Sequence, residues 1–267
     1  LREAAERAPL PADGSPWVIA DLGAAAGRNS LVPMGAALDT LRARYYRLNL
    51  RGADAVIARH VAEVGSPWFA QDCAYCFWGP SSGYSSQFGY FIPPVLNERS
   101  LQLAIERVRE VQAVVSAPVA IEPPPMTFVV GTMPLFEFFG RLATETDCAL
   151  LLDMGHLVSW EVASGKSVLD ALAQLPCERV IEAHIAGGRI EHAADGDVYV
   201  DAHERPILPR VWEMLDAMLP HLTQLRALCF ECEGAMEGEV LNVIARLRGR
   251  VRERSGCEAL KARVGAA

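Results

Sequence analysis

The residues in this chain best able to do chemistry stand at the ends of apolar runs. Glu122 closes PVAIE, Asp153 closes CALLLD with His156 three residues on, and His184 lies in VIEAHIAGG. Asp201 and His203 close DVYVDAH, and Glu231 lies in ALCFECE. Carboxylates and imidazoles beside apolar strands are costly unless something compensates their charge and hydrogen bonds. Mixed His and carboxylate donors suit iron, manganese or zinc, and bridging carboxylates allow more than one ion. Taken singly, a His or Asp near a strand end is as readily a cap or a satisfied hydrogen-bonding group. So many in register on five strands point instead to metal. His60, His192 and His221 fall on a helix face, a turn and a helix end and read as structural or exposed.

Strand alternation tests which side chains share a face. Asp201 and His203 share one with Tyr199, and Glu231 shares one with Cys229 and Glu233. Cys232 points the other way. The two C-x-x-C patterns, Cys73 with Cys76 and Cys229 with Cys232, therefore do not make a four-thiolate zinc site, because positions i and i+3 of a strand face opposite sides.

The elements that position these residues form an alternating pattern. Eight strand-like runs are expected at residues 17–21, 45–50, 68–74, 118–122, 148–153, 180–186, 197–203 and 227–233, with helical periods filling most gaps. Alternating β and α elements imply parallel strands joined by helical crossovers. The expected fold is an α/β, single-domain (β/α)8 barrel of TIM type, whose C-terminal mouth would gather the residues above. Two connections depart from the repeat: a long aromatic and Gly/Ser-rich loop after the third strand, CFWGPSSGYSSQFGYFIPP, and a short one, GGRIEHAADG, between the sixth and seventh.

Composition bounds the function classes. The 267 residues suffice for one barrel. A net charge of -8 argues against a nucleic-acid surface, and the one basic run, LRGRVRER at 247–254, reads as a solvated helix face. No apolar run reaches the roughly 20 residues of a membrane span, so no membrane partner is expected. The charged N-terminus lacks a secretory core segment, and seven cysteines suit a reducing cytoplasm.

From about residue 48 to 250 the chain resembles the multinuclear non-haem iron-dependent oxidases, the group that includes the methanobactin-biosynthesis oxidase. The matching segments are WFAQDCAYC, FIPPVLNERSLQLAIERVREVQ, VAIEPPPMTF, LLLDMGHLVSW, VIEAHIAGG, VDAHERPILPRVWEML and FECEG. The resemblance implies a TIM-type barrel holding two or three iron ions. It implies O₂-dependent modification of cysteines in a ribosomally made precursor peptide, often with a partner protein that presents the peptide. Carried over by position, it makes Glu122, Asp153, His156, His184, Asp201, His203 and Glu231 iron ligands. Asn49 and Asp72 stand where the family usually has imidazoles. Asp72 remains a competent ligand, Asn49 only a weak neutral donor. A non-catalytic barrel acting as a scaffold and a divalent-metal isomerase or hydrolase are the alternatives.

The expected organisation is an N-terminal segment at 1–47, the barrel at 48–255 and a tail at 256–267. Within the first segment, PWVIADLGAAAGRNSLVPMGAALDTLRAR resembles the first motif of class I S-adenosylmethionine-dependent methyltransferases. That likeness would give Asp21, Gly23 and Gly27 to a cofactor. No further methyltransferase strand follows, and the segment reads better as the first βα unit of the barrel.

Overall fold

The computed structural model describes residues 17–21, 50–78, 86–193 and 196–264, with side chains placed over 56–75, 91–193 and 196–252. In chain order the first elements are β1 (Trp17–Asp21), α1 (Leu50–Val64), β2 (Phe69–Asp72), β3 (Tyr75–Trp78), β4 (Ser86–Ile92), α2 (Glu98–Gln112), β5 (Val119–Glu122) and α3 (Leu135–Thr146). They are followed by β6 (Ala149–Asp153), α4 (Met154–Ser164), β7 (Val180–Ala186), β8 (Gly188–Ala193), β9 (Gly196–Asp201), α5 (Pro209–Met218), β10 (Ala227–Glu231) and α6 (Glu237–Val264).

Six strands form one parallel sheet in the order β1-β10-β7-β6-β5-β2. Its central members are apolar almost throughout: β5 is buried at every residue and β6 at all but its first. Such strands carry no polar face because helices cover one side and the barrel interior the other. The architecture is a TIM-type α/β barrel.

The covering helices follow from their sequences. In α2, Leu101, Ile105 and Val108 recur at helical spacing and are buried, while Asn97 caps the first turn by accepting from the Ser100 N–H at 2.9 Å. In α3, Phe136, Phe138, Phe139 and Leu142 are completely enclosed. Arg246 and Arg250 of α6 stack on the Trp212 ring of α5, their guanidinium carbons 3.8 and 4.6 Å from its centre. Arg250 also pairs with Asp216 at 2.5 Å. The basic run is thus partly a docking device and not simply a solvated face; Leu247 and Val251 within it are buried.

Three expectations change. Residues 197–203 are not a stave of the barrel: β9 pairs antiparallel with β8 in a separate hairpin, and β10 lies directly against β7. A 10-residue connection is too short for a crossover helix, so the chain turns back on itself instead. The long segment after β2 also contains regular structure, the antiparallel pair β3–β4. Of the strand expected at 45–50, Leu50 opens α1, and 45–49, Asn49 included, lie outside the described residues. Asp21 closes β1, which pairs with β10; Gly23 and Gly27 lie outside the described residues.

Gly187 sits where the hairpin leaves β7, and a Cβ there would overlap the backbone carbonyl oxygen of Arg205. A backbone obstruction cannot swing aside. Gly187→Ala should therefore lower the thermal unfolding midpoint, by the equivalent of about 1–3 kcal/mol. Gly238→Ala, with open space around it in the first turn of α6, should leave the midpoint unchanged or raised.

Candidate metal centre

The carboxyl ends of the strands bring the candidate residues together. His156 lies 3.1 Å from Glu122 and 3.5 Å from Asp201. His203 lies 3.2 Å from the same Asp201 oxygen and 3.8 Å from Glu231, and Glu231 lies 3.5 Å from His184. Two groups have donor atoms all within 4.8 Å of one another: Asp72, Glu122 and His156, and Glu122, Asp153 and His184. Glu122 belongs to both. All eight candidates from Asp72 to Glu231 thus converge on one mouth, and among the described residues no such group contains a cysteine.

Three local devices place them. Strands supply Asp72, Glu122, Asp153, His184 and Glu231. The first turn of α4 supplies His156, and Asp153 serves both purposes: Oδ1 caps that helix by accepting from the His156 N–H at 2.9 Å, while Oδ2 is turned to the cluster. The cap and the candidate ligand are one residue. The exit of the β8–β9 hairpin supplies Asp201 and His203, and Glu233 accepts from Nδ1 of His203 at 2.6 Å. Ser159 ties α4 to the loop after β5, accepting from the Met126 N–H at 2.7 Å and donating to the His156 carbonyl at 2.6 Å.

The charge balance is lopsided. Five carboxylates (Asp72, Glu122, Asp153, Asp201, Glu231) face three imidazoles (His156, His184, His203), so even full imidazole protonation leaves an excess of negative charge. Burial, reinforced by Glu122, pushes Asp72 up to about 7. Burial also pushes Asp153 up to about 6, with Asp201, Glu231 and Glu122 adding to it and His156 opposing. Asp201 goes the other way: burial opposes its charge, but His156 and His203 outweigh this and hold its carboxyl far below the usual range. Among the described residues, buried oxygens of Asp72, Asp153 and Asp201 have no hydrogen-bond partner. Orphaned acceptors around an excess of anions are what a bound cation would satisfy, and the His and carboxylate donor set fits a first-row divalent metal.

Four further side chains contribute: the sequence reading placed Glu233 and Tyr199 beside candidate ligands without giving them a role, and it missed Glu182 and Trp68. Glu182 sits two residues before His184 on the same face of β7 and contacts it at 3.1 Å; alternation alone would have found it. Glu233 lies two residues past the end of β10, in the turn that follows, and reaches His203 from there. Trp68, which donates to Glu182 at 2.6 Å across 114 residues of sequence, carried no local signal. The Tyr199 hydroxyl, buried without a partner, is packed where a Cβ at Gly155 or Gly188 would collide with it. Of the other histidines, His192 is exposed and pairs with Asp197 at 2.7 Å in the hairpin.

A family model described as RiPP precursor modification enzyme MbnB/TglH/ChrH matches residues 52–240. The chain belongs to this family. Its relatives include a UPF0276 protein of Rhizobium meliloti, 29% identical over 66% of this chain and 53% of the relative. Another, from Vibrio parahaemolyticus, is 27% identical over 66% of this chain and 65% of the relative. The chain therefore spans about half to two thirds of the length of these relatives. A xylose isomerase domain protein from Planctomyces limnophilus superposes with a TM-score of 0.46 at 13% identity, over 90% of this chain and 77% of that one. No helix among the described residues is long and apolar enough to cross a membrane.

In the metal-free protein, burial acts to lower the His203 pKa, but Asp201, Glu231 and Glu233 outweigh it and push it up to about 10. A folded value above the unfolded one, about 6.5, means that this residue stabilises the fold fully below about 6.5. That contribution is lost as pH rises through 10. Imidazole NMR resonances should show His203 still protonated at pH 8; a ring that deprotonates near 6.5 would contradict the network.

Proposed function

We propose that this protein is an iron-dependent oxidase that modifies cysteine residues of a ribosomally synthesised precursor peptide with O₂. The observation carrying the reading is Glu122, itself buried and shared between two largely buried three-residue donor groups in a cluster where carboxylates outnumber imidazoles. A shared carboxylate suits bridging of two cations, and a multinuclear centre suits the redox demands of thiol modification. We assign Glu122, Asp153, His156, His184, Asp201, His203, Glu231 and Asp72 to the metal ions.

Bound iron would supply electrons for reducing O₂ and a Lewis-acid position for a substrate thiolate, the metal-binding form of cysteine. The chain's own residues do the rest. Asp153 and Glu122, locked by strand geometry, fix the spacing between positions. Ser159 holds the loop after β5 against α4 and so keeps one wall of the mouth in place. Tyr75, Phe91, Phe128 and Val130 are exposed on connections that follow β2 and β5. Apolar side chains on that rim favour contact with a peptide or with a partner protein that presents one.

Three results would test the reading. Anaerobically purified protein should contain iron and should consume O₂ only when a cysteine-containing peptide is supplied; zinc or manganese without O₂ consumption would defeat it. Glu122→Ala should lower iron content by more than half, because it removes a donor from both groups, whereas Asp72→Ala should deplete one position. Asp153→Asn should keep the helix fold, since an asparagine oxygen still caps α4, yet lose iron. Full iron content in Asp153→Asn would remove that residue from the ligand set.

A further inference from the structure

His184 is held differently from the other two histidines of the cluster. His203 engages Glu233 through Nδ1 at 2.6 Å and turns Nε2 toward Asp201 at 3.2 Å. His156 has Nδ1 between the Pro123 carbonyl, 3.0 Å away, and Glu122, 3.1 Å away, with Nε2 toward Asp201. In His184 the roles reverse: Nε2 meets Oε1 of Glu182 at 3.1 Å, leaving Nδ1 on the side of Glu231 at 3.5 Å. The second oxygen of Glu182, Oε2, accepts from the Trp68 indole N–H at 2.6 Å. Both oxygens of this carboxylate are therefore occupied, each by one nitrogen donor.

We propose that Glu182 is a positioning residue that holds His184 through Nε2–H and so presents Nδ1 as its metal-binding nitrogen, with Trp68 fixing the carboxylate. The proposal rests on the metal-centre reading above. An imidazole that binds a cation through one nitrogen carries its proton on the other, and an acceptor for that proton orients the ring and strengthens it as a donor. Glutamate is needed here because two donors require two acceptors. Glutamine has the same shape but one acceptor oxygen; its amide NH₂ must then face either the indole N–H or the imidazole N–H, donor against donor. Removing the indole resolves that conflict, because the glutamine oxygen is then free to serve His184.

The test is a double-mutant cycle on the full chain, read by cobalt(II) affinity in chelator competition, by the cobalt absorption spectrum and by the unfolding midpoint of the metal-free protein. Glu182→Gln should weaken cobalt binding about 10–100-fold and shift the spectrum. Trp68→Phe should weaken cobalt binding only a few-fold, because Glu182 keeps an acceptor for His184, and Trp68→Phe with Glu182→Gln should recover most of the affinity lost by Glu182→Gln alone. A packing role would give the opposite order, since the double variant removes more contacts than either single one. Wild-type affinity in Glu182→Gln, or a double variant no better than it, would overturn the proposal. If Glu182→Gln does not fold, the double variant compared with Trp68→Phe decides, and a large deficit there overturns it. His184→Ala separates the two levels: native affinity in that variant defeats the metal-centre reading itself, whereas its loss beside an unaffected Glu182→Gln defeats only the positioning role.

Discussion

Buried carboxylates that outnumber the imidazoles among them are the constraint on which the rest of this structure depends. Burying like charges together raises the free energy of the fold unless protons or cations neutralise them. Protons meet part of the need, which is why Asp72 and Asp153 are pushed up while the imidazoles stay charged. They do not meet all of it among the described residues, where buried oxygens of Asp72, Asp153 and Asp201 remain without a donor. The barrel has to be rigid at this mouth to hold such groups together, and the apolar strands beneath it provide that rigidity.

Much of this was legible in the chain. Parallel strands buried on both faces read as near-continuous apolar runs, so five of the sheet's strands follow from VIAD, VAIE, ALLLD, VIEAHIA and ALCFE. Asp201 and His203 do meet in the cluster although their strand was misassigned: β9 ends at Asp201, and the turn that follows, not strand alternation, brings His203 to it. What periodicity could not distinguish was the partner: DVYVDAH pairs locally with GRIEHA, and only the short connection hinted at it. Contacts such as that of Trp68 with Glu182 depend on the curling of the sheet and have no local signature.

The basic run illustrates a different limit. LRGRVRER looks like a charged, solvated face, yet Arg250 stacks on Trp212 and pairs with Asp216, so its charge serves packing. Arginine is suited to this, being planar, always charged and weakly hydrated. A charge count alone cannot separate a guanidinium that faces water from one that lies on a ring. The tryptophan that decides the matter is one helix away.

The site draws on elements of unequal stiffness, and the division follows the chemistry. Asp72, Glu122, Asp153, His184 and Glu231 come from sheet strands, where neighbours on both sides set their positions and burial shifts their charge. Asp201 and His203 come from a hairpin exit, which lacks neighbouring staves and is anchored instead by close backbone contact. Ala202 donates to the Gly187 carbonyl at 3.2 Å, and the absence of a side chain at Gly187 lets the Arg205 carbonyl approach. Glu233, from beyond β10, then fixes the ring that the hairpin delivers. A residue reaching the cluster by a loop thus requires an anchor of its own, whereas one reaching it by a strand shares the anchors of the whole sheet. That difference explains why His203 pairs with a dedicated carboxylate from another element while His184 takes its partner, Glu182, from its own strand.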